Sequence, residues 1–150
     1  MSEKLVKIEL QQQKDYQFLI EYGNAVPSLI CDEPPPLGGG TGPSPVQLLA
    51  CAVGNCLSDS LIFAFRKFKQ MAEPIHATVV AEVGRNEAGR MRVLKMNATL
   101  QLGVEGVQLE HLSSVLDQFE SFCTVTQSVG LGVPVHTRVI DLKGLVLKAE

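Results

Sequence analysis

The feature that most constrains the fold is a long, predominantly apolar segment that follows a stretch rich in proline and glycine. Residues 46–65 form this segment, and Ser44 and Pro45 before it suit the N-cap and first position of a helix. Polar residues dominate again only at Arg66 and Lys67, where cations favour a helix C-terminus. A helix that is apolar almost all round must be surrounded by protein. The segment therefore predicts a long, buried central helix.

Alternation of polar and apolar residues predicts strands on both sides of this helix. The predicted strands are 4–10, 16–22 and 28–31 before the helix, a hairpin of 75–83 and 91–102 after it, and one or two closing strands within 134–147. A second, amphipathic helix is predicted over Gln108–Cys123, because its apolar residues fall on one face. This order predicts a single α+β domain over residues 1–150, with antiparallel sheets packed around the two helices.

Charge and hydropathy narrow the possible partners and location. The formal net charge is -3 and no segment is rich in Lys and Arg, so nucleic acid is not an expected partner. The first seven residues alternate charged and apolar side chains, unlike a secretory signal. No segment is expected to reach the roughly 18 apolar residues of a membrane span. We therefore expect a cytoplasmic protein that has no membrane partner.

The four cysteines are Cys31, Cys51, Cys56 and Cys123. They are too few and too scattered for a disulfide scaffold, and in a reducing cytosol any disulfide is expected to be transient and catalytic. The sequence contains no CxxC pair, and no cysteine has metal-ligand spacing to a histidine. We expect no metal and no cofactor.

Cys56 and Cys123 stand out because each lies in the apolar part of a predicted helix, where nothing requires a sulfur atom. Free cysteine is often buried and then packs as a small hydrophobic residue. We assign this packing role to Cys31 and Cys51, and for the other two the pattern alone leaves packing and chemistry open.

Three segments carry a resemblance to a known family. Residues 42–56, GPSPVQLLACAVGNC, resemble the helix that leads into the reactive cysteine of the OsmC/Ohr family. Residues 32–41, DEPPPLGGGT, resemble the loop of one OsmC-like branch. Residues 122–127, FCTVTQ, followed by GVPV at 132–135, resemble the segment that holds the second cysteine of the family. The resemblance covers nearly the whole chain in the order of its elements.

The resemblance implies an OsmC-like fold, an intertwined homodimer with apolar pockets at the subunit interface, and thiol-dependent reduction of organic hydroperoxides. In such a reaction the thiol matching Cys56 attacks the peroxide and becomes a sulfenic acid. The thiol matching Cys123 then forms a disulfide with it, which a dithiol reductant reopens. Thiolates are the nucleophiles in this chemistry, and sulfenic acid is its first oxidation step. The apolar surroundings would favour alkyl or lipid hydroperoxides.

The sequence differs from the family pattern at the residues that hold the thiolate. The usual Glu is replaced by Val46, and the usual N-terminal Arg is absent because the first arginine is Arg66. Asp59, on the same helix face as the reactive thiol, would disfavour the thiolate if it is ionised. Glu33 or Asp32 from the loop is a candidate replacement for the missing carboxylate, and Arg138 or an arginine of the partner chain is a candidate for the missing cation.

Three functions therefore remain open. The first is a thiol peroxidase that uses Cys56 and Cys123. The second is an OsmC-like protein without efficient peroxidase activity, which binds a small hydrophobic ligand in the pocket at the dimer interface. The third is a redox sensor whose disulfide is regulatory. Retention of both cysteines favours the first, and Val46 favours the second.

Overall fold

The computed structural model describes residues 2–149 and has an α+β fold. The chain divides into two compact units, the first ending at Leu48 and the second beginning at Leu49. The predicted domain limits, residues 1 and 150, lie outside the described residues, and the single-domain prediction stays a prediction.

The first unit contains an antiparallel sheet of three strands, in the order β1-β2-β3. These strands are β1 (Glu9–Lys14), β2 (Gln17–Glu21) and β3 (Leu29–Cys31). The predicted meander is thus observed, but its first strand begins at Glu9 instead of residue 4. Pairing with β2 selects this register, because Glu9 stands opposite Glu21 at the end of the partner strand. Residues 4–8 have the alternating pattern of a strand, but they pair with no strand of this sheet.

A buried carboxylate organises the loop rich in proline and glycine. The side chain of Asp32 accepts hydrogen bonds from the backbone N–H groups of Glu33 (2.8 Å), Gly39 (3.2 Å) and Thr41 (3.1 Å). It also accepts one from the Thr41 hydroxyl at 2.8 Å, and this bond is the main reason why the pKa of Asp32 is lowered. A side chain at Gly38 would collide with the backbone of Glu33 and with this carboxylate. The loop is therefore closed upon Asp32.

The second unit contains a sheet of four strands in the order β4-β5-β6-β7, together with the helices. Its elements are α1 (Pro45–Lys67, which begins in the last residues of the first unit), β4 (His76–Arg85), β5 (Met91–Gln101), α2 (Leu112–Gln118), α3 (Thr124–Val129), β6 (Val135–Ile140) and β7 (Val146–Lys148). The strands β5 and β6 pair in parallel, which corrects the expectation of purely antiparallel sheets. The long connection between them, which carries α2 and α3, returns the chain to the same end of the sheet.

Helix α1 packs along β4 through one face. Five of its buried side chains belong to the main hydrophobic core, namely Val53, Leu57, Leu61, Ala64 and Phe65. Gly54 makes this approach possible, because a Cβ atom there would lie 2.8 Å from Cγ2 of Val79 on β4. Within one chain the helix is not buried all round, since Cys51 is exposed and Phe63 is 54% exposed.

By length and composition, α1 also reaches what a membrane span requires. An 18-residue window has a mean hydropathy of 1.7, so the expectation that no segment would reach this level was wrong. The core helix of a folded domain passes the same test, and 39% of this window is buried inside the structure.

The predicted continuous helix Gln108–Cys123 was also wrong, because the segment is divided. Gly106–Gln108 and Phe119–Phe122 form 3₁₀ turns on either side of α2. His111 adopts a left-handed conformation (φ 59°) immediately before α2, which ends any helix approaching from its N-terminal side. Cys123 itself is extended, with φ -83° and ψ 94°. The apolar pattern marked the buried Val115, Leu116, Phe119 and Cys123, but it did not mark the breaks, and Phe122 is 39% exposed.

A second buried carboxylate fixes the start of this divided segment. Asp141, which follows β6, accepts hydrogen bonds from the backbone N–H groups of Gly106 (3.1 Å), Lys143 (2.9 Å) and Leu145 (3.0 Å). The bond from Gly106 is the largest cause that lowers the pKa of Asp141. The carboxylate thereby ties the chain that follows β5 to the turn between β6 and β7.

Candidate functional site

Cys56 lies near the middle of α1, two residues after the glycine that rests on β4. Its side chain is half-buried and forms part of the wall of an open pocket of about 420 Å³. The residues that line this pocket are Cys56, Asp59, Ser60, Phe63 and Phe122. The first four share one face of α1, since they are spaced by three, four and seven residues. The sulfur atom is thus accessible from a cavity with apolar walls.

An aromatic pair closes one side of the pocket. The rings of Phe63 and Phe122 meet edge to face, with their centroids 5.4 Å apart and an interplanar angle of 81°. Such pairs hold two elements together at a fixed angle. Lys67 covers the second ring, with Nζ 4.8 Å from the centroid of Phe122. The pair links α1 to the 3₁₀ turn that immediately precedes Cys123.

Cys123 is completely buried, and its Sγ lies 3.0 Å from Oγ1 of Thr126. Burial raises the pKa of the Cys123 thiol, and hydrogen bonding with the Cys56 thiol acts in the same direction. The hydroxyl and the backbone N–H of Thr126 act in the opposite direction but do not cancel these effects. Cys56 and Cys123 come from distant parts of the sequence, and the Cys56 thiol lies near enough to influence the pKa of Cys123.

Glu33 and Arg138 were proposed from the sequence as supporting residues, and they belong to different units of the structure. Arg138 is exposed on β6 between Thr137 and Val139, which are both buried. It therefore points to the face of the sheet opposite the core, away from the buried Cys123. Glu33 belongs to the first unit, where its backbone N–H donates to Asp32.

The pocket wall beside Cys56 carries an acidic group, Asp59. Asp59 accepts a hydrogen bond from Nδ2 of Asn55, with 2.9 Å between Nδ2 and Oδ2. Within residues 2–149, none of the side chains that line the pocket is a lysine or an arginine. The same described residues contain no group of three or more His, Cys, Asp or Glu side chains that could hold a metal ion.

Sequence reasoning missed three residues of this site. Phe63 and Phe122 were assigned to the apolar surfaces of two helices, and only the fold shows that their rings meet. Thr126 stands three residues after Cys123, at the start of α3. This spacing could have indicated the contact from the sequence. Cys123 is the residue before α3 and Thr126 is the third residue of the helix, so both side chains lie at the N-terminal end of the helix.

Comparison with known proteins identifies the family. The family of OsmC-like proteins matches residues 38–138, a range that includes both Cys56 and Cys123. The chain belongs to the OsmC-like family. The resemblance inferred from the two cysteine segments is thereby confirmed. None of the curated proteins with which the sequence was compared matches it.

Solved structures of OsmC-like proteins share the fold. An OsmC-like protein of unknown function from Vibrio cholerae has a TM-score of 0.76 at 17% identity, covering 93% of this chain and 100% of that one. An OsmC-like protein from Mycoplasma pneumoniae has a TM-score of 0.76 at 12% identity, covering 93% and 99%. The organic hydroperoxide resistance protein OhrB of Bacillus subtilis has a TM-score of 0.68 at 14% identity, covering 91% and 98%. The predicted α+β fold of the OsmC/Ohr type is therefore confirmed.

Proposed function

We propose that this chain reduces organic hydroperoxides by reversible oxidation of Cys56 and Cys123. The observation that carries the proposal is the interaction of the two thiols, one on the wall of an apolar pocket and the other buried behind it. Membership of the OsmC-like family and a fold shared with a hydroperoxide resistance protein support the choice of substrate.

The reaction proceeds in three balanced steps. The Cys56 thiolate attacks the terminal oxygen of the hydroperoxide, the O–O bond breaks, and after protonation the products are an alcohol and a Cys56 sulfenic acid. The Cys123 thiol then displaces the hydroxyl group, which leaves as water, and a Cys56–Cys123 disulfide forms. A dithiol reductant restores both thiols and is itself oxidised to a disulfide. No cofactor is required by these steps.

We further propose a cytoplasmic homodimer in which a second copy covers apolar surface of the first. Large apolar side chains at Phe63, Val80, Met91 and Leu94 are exposed in the single chain, and apolar surface of this extent usually marks an interface. Size-exclusion chromatography with light scattering measures the assembly directly.

The decisive experiment oxidises the reduced protein with one equivalent of cumene hydroperoxide and maps its disulfides by mass spectrometry. We expect a Cys56–Cys123 bridge within seconds to minutes. Cys56→Ser is expected to abolish peroxide consumption, whereas Cys123→Ser should allow one turnover and then over-oxidation of the remaining thiol. Cys51→Ser is the matched control on the same helix and should behave like the unmodified protein. Thiols that stay reduced throughout would refute the proposal.

A second candidate function is binding of a small hydrophobic ligand without efficient peroxidase activity. The observation in its favour is the charge of the pocket, which within residues 2–149 is lined by Asp59 and by no cation. A thiol without a neighbouring cation gains no electrostatic stabilisation of its thiolate. The test is binding of an apolar fluorescent probe and its displacement by cumyl alcohol. If the probe binds and is displaced while both thiols stay reduced in the presence of peroxide, ligand binding replaces the peroxidase proposal.

A further inference from the structure

The pocket beside Cys56 has an asymmetric charge. Among the residues of the described chain that line it, Asp59 carries the only carboxylate, and the others are a cysteine, a serine and two phenylalanines. The carboxylate is held in place by the side-chain amide of Asn55, at 2.9 Å. The Asp59 carboxylate therefore gives the pocket wall a negative charge on the same helix face as the thiol.

The nearest cation on the same helix face lies much farther from the sulfur. Asp59 follows Cys56 by three residues, a rise of about 4.5 Å along the helix axis, whereas Lys67 follows by eleven residues, a rise of about 16 Å. The Lys67 ammonium also lies over the ring of Phe122 and within 3.5 Å of Oε1 of Gln118. Its ammonium is therefore engaged by Phe122 and Gln118, and not by Asp59.

We propose that Asp59 makes this pocket select hydroperoxides that carry no negative charge close to the peroxide group. This inference rests on the proposed peroxidase function and specifies its substrate class. The alkyl or aryl part of such a molecule packs against Phe63 and Phe122, while its peroxide group reaches Cys56. A carboxylate near the peroxide would have to approach Asp59, and like charges separated by several ångströms repel each other.

The repulsion acts on the approach of the substrate and leaves the chemical step itself unchanged. The selectivity should therefore be visible with any electrophile that reacts at the same sulfur. For one unit charge at a partly exposed site, the expected discrimination is roughly 3- to 10-fold at low ionic strength, and added salt should reduce it.

Iodoacetamide and iodoacetate provide a test that does not depend on peroxidase activity. Both alkylate a thiolate by forming an S–C bond and releasing iodide, and they differ by one negative charge. Rates of alkylation are measured separately at Cys56 and at the exposed Cys51 by mass spectrometry of the corresponding peptides. We expect Asp59→Asn to raise the ratio of the iodoacetate rate to the iodoacetamide rate at Cys56 by roughly 3- to 10-fold. The ratio at Cys51 should not change.

The ratio removes any change in the thiolate fraction, because both reagents require the same thiolate. Asp117→Asn, on α2 and outside this pocket, is the control for a general change in protein charge. A change of less than threefold at Cys56, an equal change at Cys51, or an equal change in the Asp117→Asn protein would overturn the inference.

A pair of hydroperoxides then connects this selectivity to the proposed reaction. Cumene hydroperoxide should be consumed faster than its ortho-carboxylate analogue, whose charge lies beside the peroxide group, and Asp59→Asn should bring the two rates together. If neither compound is consumed by the unmodified protein, the peroxidase proposal fails, and the alkylation ratios still decide whether Asp59 selects by charge. If both are consumed at equal rates before and after the substitution, the inference fails and the peroxidase proposal remains.

Discussion

The two thiols of the site occupy opposite environments. Cys56 lies in the middle of a 23-residue helix, is half-buried and borders an open pocket. Cys123 lies between two short helical turns, is completely buried and has a raised pKa. The difference suggests a division of roles, in which one sulfur meets molecules from solution and the other meets only its partner. In the proposed reaction, one thiol is exposed to substrate and the other is protected from it.

The strongest test of this comparison is the rate at which each thiol is alkylated. We expect iodoacetamide to modify Cys56 about 100-fold faster than Cys123 in the native protein, because the second thiol requires local opening of the fold and is less ionised. In denaturant the two rates should become equal. Site-resolved mass spectrometry of quenched samples measures both rates, and comparable native rates would remove the contrast on which the comparison rests.

Substitution of Thr126 tests the environment of the buried Cys123 thiol more specifically. The Cys123 thiol donates to Oγ1 of Thr126, and after deprotonation the same hydroxyl would donate to the thiolate. Thr126→Val removes this hydroxyl, so the pKa of Cys123 should rise further. A hydrogen bond to an ionised group contributes about 1.5 kcal/mol, so formation of the disulfide should slow by roughly 10-fold at neutral pH. The pH of half-maximal rate should move upward, as measured by rapid-quench disulfide mapping after one equivalent of peroxide. Thr126→Ser keeps the hydroxyl and should restore the rate; equal rates in the two variants would exclude a role for the hydroxyl.

The position of Cys56 should depend on the contact of Gly54 with β4. Gly54→Ala places a methyl group 2.8 Å from Cγ2 of Val79. Overpacking costs roughly 1–3 kcal/mol and is partly offset by about 1 kcal/mol of improved helix propensity, so we expect a net loss of about 1 kcal/mol in the free energy of unfolding. Urea denaturation measures it, with Gly132→Ala, which has open space around it, as the control. A variant that gains stability would show that α1 can move away from the sheet at no cost.

The smallest effect on the thiols is expected from Asp141, which anchors only the start of the segment that carries Cys123. The lowered pKa of Asp141 means that its contribution to stability is complete above the ordinary pKa of aspartate and is lost as pH falls through the lower value in the folded state. Asp141→Asn should therefore be less stable than the unmodified protein at neutral pH and lose less stability on acidification. Thermal unfolding between neutral pH and about pH 3 measures this difference. If the stability of the two proteins changed with pH in the same way, Asp141 would not be the source of this pH dependence.

The sequence predicted the elements that depend on local pattern. The Ser44-Pro45 start and the cations at the end of α1 marked this helix within a few residues. The strands of the β4–β5 hairpin were also predicted closely, because alternation and a turn residue such as Gly89 act over short distances. Both thiols of the candidate site were identified through the family resemblance.

The remaining features depend on contacts between distant residues. The parallel pairing of β5 with β6 follows from the path of the long connection, which residue periodicity does not encode. The break at His111 depends on one left-handed residue, and histidine carries only a weak preference for it. The face of the sheet on which Arg138 lies could not be known before the register of β6 was fixed, so its candidacy as the missing cation rested on residue type alone.

The break in the helical segment at Cys123 has a mechanical consequence. A disulfide requires two sulfur atoms about 2.05 Å apart with Cα atoms about 5.5 Å apart, and the packed backbone of α1 offers little freedom to adjust. Any rotation that brings the two sulfur atoms to bonding distance is therefore expected mainly at Cys123, the extended residue between the 3₁₀ turn and α3. Phe122 immediately precedes Cys123 in the chain, so the same rotation would displace the Phe122 ring, which forms one wall of the cavity. In the proposed reaction, oxidation would thus reshape the cavity beside Cys56, which would favour departure of the alcohol and delay entry of a second molecule until the thiols are regenerated.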